Sequence, residues 1–153
     1  MKTYAIVIKD MELSEFAFSR LKQSSFKVKN DFEIERFDAV VPKDVDDLLK
    51  TYDIEWNYPW EGKIVDFATG LTKSAYKTTR PKARIAAALS HYTLWMKASM
   101  MKEPILILEH DAYFTDKFYL KETKGDIIGI NNPLGCTRKS NLFYNNMTSL
   151  IIQ

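Results

Sequence analysis

The chain has 153 residues, of which 46% are hydrophobic, 13% aromatic and 27% charged, a balance that suits one soluble globular domain spanning residues 1–153. A chain of this length buries about 68–70% of its unfolded surface and needs no disulfide or metal staple, and only 5 Gly and 5 Pro exclude collagen-like or low-complexity character. Lys and Arg number 22 against 20 Asp and Glu, so the net charge of +2 is too small to imply a nucleic-acid or membrane partner by itself.

Cys136 is the only cysteine, which rules out an intrachain disulfide and a secreted, stapled scaffold. The first ten residues lack the long apolar region and small-residue cleavage site of a signal peptide. No run approaches the ~18 uninterrupted apolar residues of a membrane span. A cytoplasmic protein without a transmembrane segment is the expectation. Asn146-Met147-Thr148 fits the glycosylation sequon, a three-residue pattern that chance supplies.

In chain order, Tyr4 to Ile8 is a short apolar run with β-branched residues, as in a buried strand. Leu13, Phe16, Ala17 and Leu21 then follow the i, i+3, i+4, i+8 spacing of an amphipathic helix that ends near Ser24-Ser25. Phe32 to Val40 alternates as a second strand, with Phe32 and Ile34 on one face and Glu33 and Glu35 on the other. Asp44 is placed to cap a short helix reaching Lys50.

From Thr51 to Thr79 periodicity fails, and Tyr52, Trp56, Tyr58, Trp60 and Phe67 are mixed with acids, Pro59, Gly62 and Gly70. Such a long aromatic loop either serves as a binding loop or covers a flank of the core. Lys82 to Met101 is the strongest helix, with Ile85, Leu89, Tyr92 and Met96 at helical spacing, Pro81 before it and Pro104 beyond it. Ile105 to Leu108 is a continuous apolar run that stops at Glu109-His110-Asp111, and 126–130 reads as a further buried strand. A loop at 131–135 and a last strand at 149–152 complete the chain. Strands alternating with helices predict an α/β fold, a mostly parallel sheet flanked by helices.

In open α/β sheets ligands bind outside the carboxyl ends of the strands, where Glu109-His110-Asp111 falls. If the backbone stays extended there, Glu109 and Asp111 point together and His110 points away. Two carboxylates on one side form a hard-oxygen site suited to Mg2+ or Mn2+, which typically also hold substrate phosphates. The alternative is a surface turn in which both acids are solvated. Lys82 and Arg84 open the long helix where phosphate can meet a helix N-terminus, or they are simply solvated. Ser90, His91 and Trp95 lie further along it, and as lone residues they are better accounted for by a partly buried His beside a core Trp. The phosphate-binding, dinucleotide, zinc-protease and nucleophile-elbow motifs are all missing, and two histidines make a His-rich zinc site improbable.

Taken in order, these segments resemble glycosyltransferase family 25, which includes lipopolysaccharide-type and collagen galactosyltransferases. The resemblance rests on Tyr4 to Asp10, on Glu35-Arg36-Phe37-Asp38-Ala39-Val40, on Leu89-Ser90-His91 with Trp95, and on Glu103 to Ala112. Lys9 stands where the family usually has Asn-Leu, Ala83 to Ala87 replace its usual Gly-Glu-Ile-Gly-Cys, and His110 replaces the middle Asp of its acidic motif.

The resemblance implies a Rossmann-like, GT-A-type transferase that moves a sugar from a nucleotide-diphosphate donor, UDP-linked, to a hydroxyl of an acceptor glycan or lipopolysaccharide. It implies donor contacts at Ile8, Lys9, Asp38, Ala39, Ser90 and His91, and a divalent metal, Mn2+ or Mg2+, on Glu109 and Asp111; Arg84 joins the donor contacts from its place at the helix start. No residue is singled out as the base. The family continues further beyond the acidic motif than this chain does, so a non-catalytic nucleotide-sugar-binding module is one alternative, and a transferase acting on a hydroxymethylated base in viral DNA is another. A homodimer, or the aromatic segment itself, would supply acceptor surface.

Overall fold

The computed structural model describes residues 1–67, 70–75, 77–120, 127, 128 and 130. The elements are β1 (Lys2–Val7), α1 (Glu12–Lys27), β2 (Ile34–Asp38), a 3-10 turn (Pro42–Asp44), α2 (Val45–Thr51), β3 (Lys63–Asp66), β4 (Leu71–Ser74), α3 (Pro81–Met101) and β5 (Ile105–Glu109). They fall into two compact units, residues 1–60 with 75–118, and residues 61–74 with 119–153.

The first unit is built on a three-stranded parallel sheet of order β2-β1-β5, with Thr3 opposite both Ile34 and Leu106. β1 is the middle strand, so both its faces must be apolar. Ala5 and Val7 pack with Leu21, Ile34, Leu106 and Leu108 on the α1 side. Tyr4 and Ile6 pack with Leu94 of α3 on the other. The result is an α/β, Rossmann-like arrangement, a small parallel sheet flanked by helices. Because β2 and β5 lie on opposite sides of β1, the chain reverses its direction of winding at β1, and a crevice opens beyond the carboxyl ends of the strands.

α3 starts at Pro81, whose missing N–H is no loss at a first helical position. Its last residue, Met101, lies against Lys2 at the amino edge of the sheet, with 3.6 Å between Sδ and Nζ. Ser90 and His91, by contrast, are tied to residues just past the ends of β2 and at the end of β5. The nine residues before Ser90 therefore rise about 13 Å beyond the carboxyl edge at 1.5 Å per residue. There Ala86 and Leu89 pack on Val45, Leu48 and Leu49 of α2.

Several expectations are corrected. α1 does not bury the Leu13–Phe16 stripe: Leu13 is 67% and Phe16 60% exposed, while Ser14, Leu21, Ser24 and Ser25 are buried. The inner face is rotated toward Ser14 and Ser24, whose hydroxyls accept backbone N–H groups of Ile8 and Phe114, and the helix runs on past Ser24-Ser25 to Lys27. Met96 of α3 likewise points outward, whereas Ile85, Leu89 and Tyr92 are turned toward neighbouring elements. Asp44 sits at the N-cap of α2 but makes no side-chain cap bond.

In the second unit, part of the expected loop at 51–79 is an antiparallel hairpin of β3 and β4, with Lys63 opposite Ser74. Gly70 takes φ 67° at its turn, a left-handed conformation that glycine adopts without a side-chain clash. Ile127, Ile128 and Ile130 are exposed and lie in no strand, so the buried strand expected at 126–130 is not formed by these residues. An apolar run becomes a strand only where a partner accepts its backbone groups, and none of the described strands pairs with it. The expected loop at 131–135 and strand at 149–152, with Cys136 and the 146–148 sequon, lie outside the described residues.

Candidate functional site

Three strand exits of the first unit share the carboxyl edge. β1 leaves through Ile8, whose N–H donates to Ser14 Oγ at 2.9 Å, and the chain bends at Asp10 with φ 59°. β2 continues its ladder one residue past Asp38, as the Ala39 N–H donates to the Val7 carbonyl at 2.8 Å. The next N–H, of Val40, donates to Ser90 Oγ at 2.9 Å. Between these exits lies an open cleft of about 630 Å3, lined by Lys9, Asp10, Asp38, Ala39, Val41, Pro42, Lys43 and Asp44.

Arg36 fixes the Asp38 carboxylate. Its Nε donates to Asp38 Oδ1 at 2.5 Å, and its second arm donates to Glu15 Oε2 of α1 at 2.6 Å. That hydrogen bond holds the Glu15 carboxyl below its ordinary value, and the two carboxylates keep the guanidinium firmly protonated. The cleft thus combines cationic Lys9 and Lys43 with carboxylates at Asp10, Asp38 and Asp44.

At the third exit the backbone turns. The Ala112 N–H donates to the Glu109 carbonyl at 3.0 Å, so residues 109–112 form a turn rather than an extended segment. The alternation that would place Glu109 and Asp111 on one side of a strand does not apply there. Glu109 Oε1 bonds His91 Nε2 at 2.7 Å, and the Trp95 ring lies 6.2 Å from the imidazole. The hydrogen bond from His91 lowers the Glu109 carboxyl; burial opposes the shift, and the imidazoles of His91 and His110 add to it.

A depressed carboxylate stabilises the fold above its ordinary value of 4.5 and loses that contribution as pH falls through its folded value. Glu109→Gln is therefore expected to flatten the acid limb of a melting-temperature profile below about pH 4.5. An acid limb identical to that of the unsubstituted protein would show that the pair contributes nothing to acid stability.

The structure distributes the expected residues as follows. Lys9, Asp38 and Ala39 come together in the cleft, and Ile8 supplies the backbone just before it. Ser90 is fully buried and reaches the cleft only through Val40. His91 is joined to Glu109, while Asp111 is exposed on the turn. Arg84 is stacked 5.2 Å from the Tyr58 ring centroid, and Lys82 is paired with Asp46 at 2.5 Å, so neither lines the cleft. Asp10, Lys43 and Asp44 of the cleft were not anticipated, although their place just after β1 and β2 was the available signal.

Among the described residues no group of three or more His, Cys, Asp or Glu side chains could hold a metal ion. Glu109 and Asp111 thus do not form a closed protein cage.

A parallel sheet with helices on both faces, and a charged cleft at its carboxyl edge, define a Rossmann-like α/β protein. The model of glycosyltransferase family 25 (LPS biosynthesis protein) matches residues 15–142, and the chain belongs to that family. It is accordingly a glycosyltransferase, with a sugar donor and an acceptor. Comparison with curated proteins and with solved structures gives no match. Among the described residues no helix is long and apolar enough to cross a membrane.

Proposed function

We propose that the chain transfers a sugar from a UDP-linked donor to a hydroxyl of an acceptor glycan of the lipopolysaccharide type, in the cytoplasm. The observation that carries this reading is the cleft at the exits of β1 and β2, on the same sheet edge as Glu109. Lys9 and Lys43 offer charge to a diphosphate, and Asp38, held by Arg36, offers a fixed acceptor to a nucleoside hydroxyl. In the reaction the acceptor oxygen forms a bond to the anomeric carbon, the bond from that carbon to the diphosphate oxygen breaks to release UDP, and the hydroxyl proton passes to solvent. Glu109 and Asp111 would hold a divalent cation, Mn2+ or Mg2+, which supplies neutralisation of the charge developing on the leaving diphosphate.

A melting-temperature screen of nucleotide sugars with and without Mn2+ tests this. A ligand at about a hundred times its dissociation constant stabilises by about 2.7 kcal/mol, an upward shift of about 5–11 °C for a chain of this size. UDP sugars are expected to give such a shift. The absence of a shift with every nucleotide sugar would overturn the proposal.

A further inference from the structure

Three buried serines make the same unusual connection. Ser14 and Ser90 are fully buried, Ser24 is 2% exposed, and each hydroxyl accepts a backbone N–H from a segment that has left the sheet. Ser14 takes the N–H of Ile8 and Ser90 that of Val40, both at 2.9 Å, while Ser24 takes that of Phe114 at 3.1 Å. Ser90 and Ser24 also donate back into their own helices, to the carbonyls of Ala86 at 2.9 Å and Leu21 at 2.8 Å. Their hydroxyl protons are thereby occupied, and a lone pair points to the strand exit.

Two of the three connections flank the cleft. Ile8 immediately precedes Lys9, and Val40 stands between Ala39 and Val41, so both walls are tethered at residues adjacent to the lining. Loop backbone that is already ordered loses little entropy when a ligand binds, whereas a loose wall must be ordered at that moment. We infer that Ser14 and Ser90 are positioning residues that preset the two walls of the cleft for a nucleoside diphosphate. Neither touches the ligand: each acts through one backbone N–H. Ser24 has the same chemistry, but Phe114 does not line the cleft, which makes it a built-in control.

The inference rests on the nucleotide reading of the cleft, and UDP is the probe that separates the two. Dissociation constants for UDP would be measured by titration calorimetry on the full chain and on Ser14→Ala, Ser90→Ala and Ser24→Ala, with a melting temperature for each. Losing a buried acceptor is expected to lower the melting temperature of all three alike. Only Ser14→Ala and Ser90→Ala are expected to weaken UDP, by about three- to tenfold each, while Ser24→Ala stays within about twofold. Where an alanine variant fails to fold, the corresponding Ser→Cys substitution, slightly larger in volume, fills the site and provides the weaker acceptor. UDP binding that is unchanged in Ser14→Ala and Ser90→Ala, or equally weakened in Ser24→Ala, overturns the positioning role alone. Failure of the unsubstituted protein to bind UDP overturns the nucleotide reading and the inference with it.

Discussion

Asp111→Ala is expected to erase the Mn2+-dependent part of the stabilisation by UDP and to leave the metal-independent part in place. The two parts separate because the cleft lining lies at the exits of β1 and β2, whereas Asp111 lies on the turn after β5. If the cation contributes tenfold in affinity, about 1.4 kcal/mol, its share of the melting-temperature shift is about 3–6 °C in a chain of this size. Asp111 is the cleaner probe of the two acids. Removing Glu109 also strips His91 of its carboxylate partner, so its effect would mix two causes. A Mn2+ increment that survives Asp111→Ala would show that the cation is held elsewhere or is not needed.

Leu94→Ala carries the largest expected effect on stability. Leu94 is fully buried against Tyr4 and Ile6, with Phe37, Ile105 and Ile107 packed around the same cluster. Truncation removes apolar burial and leaves a cavity between α3 and the sheet, costing about 2–5 kcal/mol. That is a large share of the about 5–15 kcal/mol that hold a typical domain together. Leu13→Ala, at a residue 67% exposed, is expected to stay within about 0.5 kcal/mol. Urea midpoints of the two variants check both values, and a Leu13→Ala loss equal to that of Leu94→Ala would contradict the orientation of α1.

The same contrast shows which parts of the fold were legible. β1 and β5 were read from unbroken apolar runs, because strands covered on both faces need no polar side. α3 was read from its length, its period and the prolines that bracket it. α1 was read as a helix with Leu21 correctly inside and Leu13 and Phe16 wrongly so, since hydrophobic period alone ranks Leu13 and Phe16 above Ser14 and Ser24. A serine is inside when a backbone N–H from outside its helix needs it, and that partner does not follow the helical period: Ile8 is 6 residues from Ser14, Val40 is 50 from Ser90 and Phe114 is 90 from Ser24. For the site, Lys9, Asp38 and Ala39 were found because strand ends in this fold class face ligands. The turn at 109–112 was the alternative reading, and the sequence did not decide for it because strand alternation can be extended past the last paired residue, where nothing in the ladder enforces it.

The sheet order also has a consequence in time. β1 leaves the ribosome well before its partner β5, which pairs with it across roughly a hundred residues, Thr3 with Leu106. At about 5–20 residues per second, β1 waits about 5–20 s for that edge to be synthesised. During that interval α1 and β2 can cover part of it, but the side destined for β5 presents unpaired N–H and carbonyl groups on an apolar strand. Folding of the first unit is therefore gated by the arrival of residues 105–109, and a nascent chain stalled before them is the species most prone to aggregate.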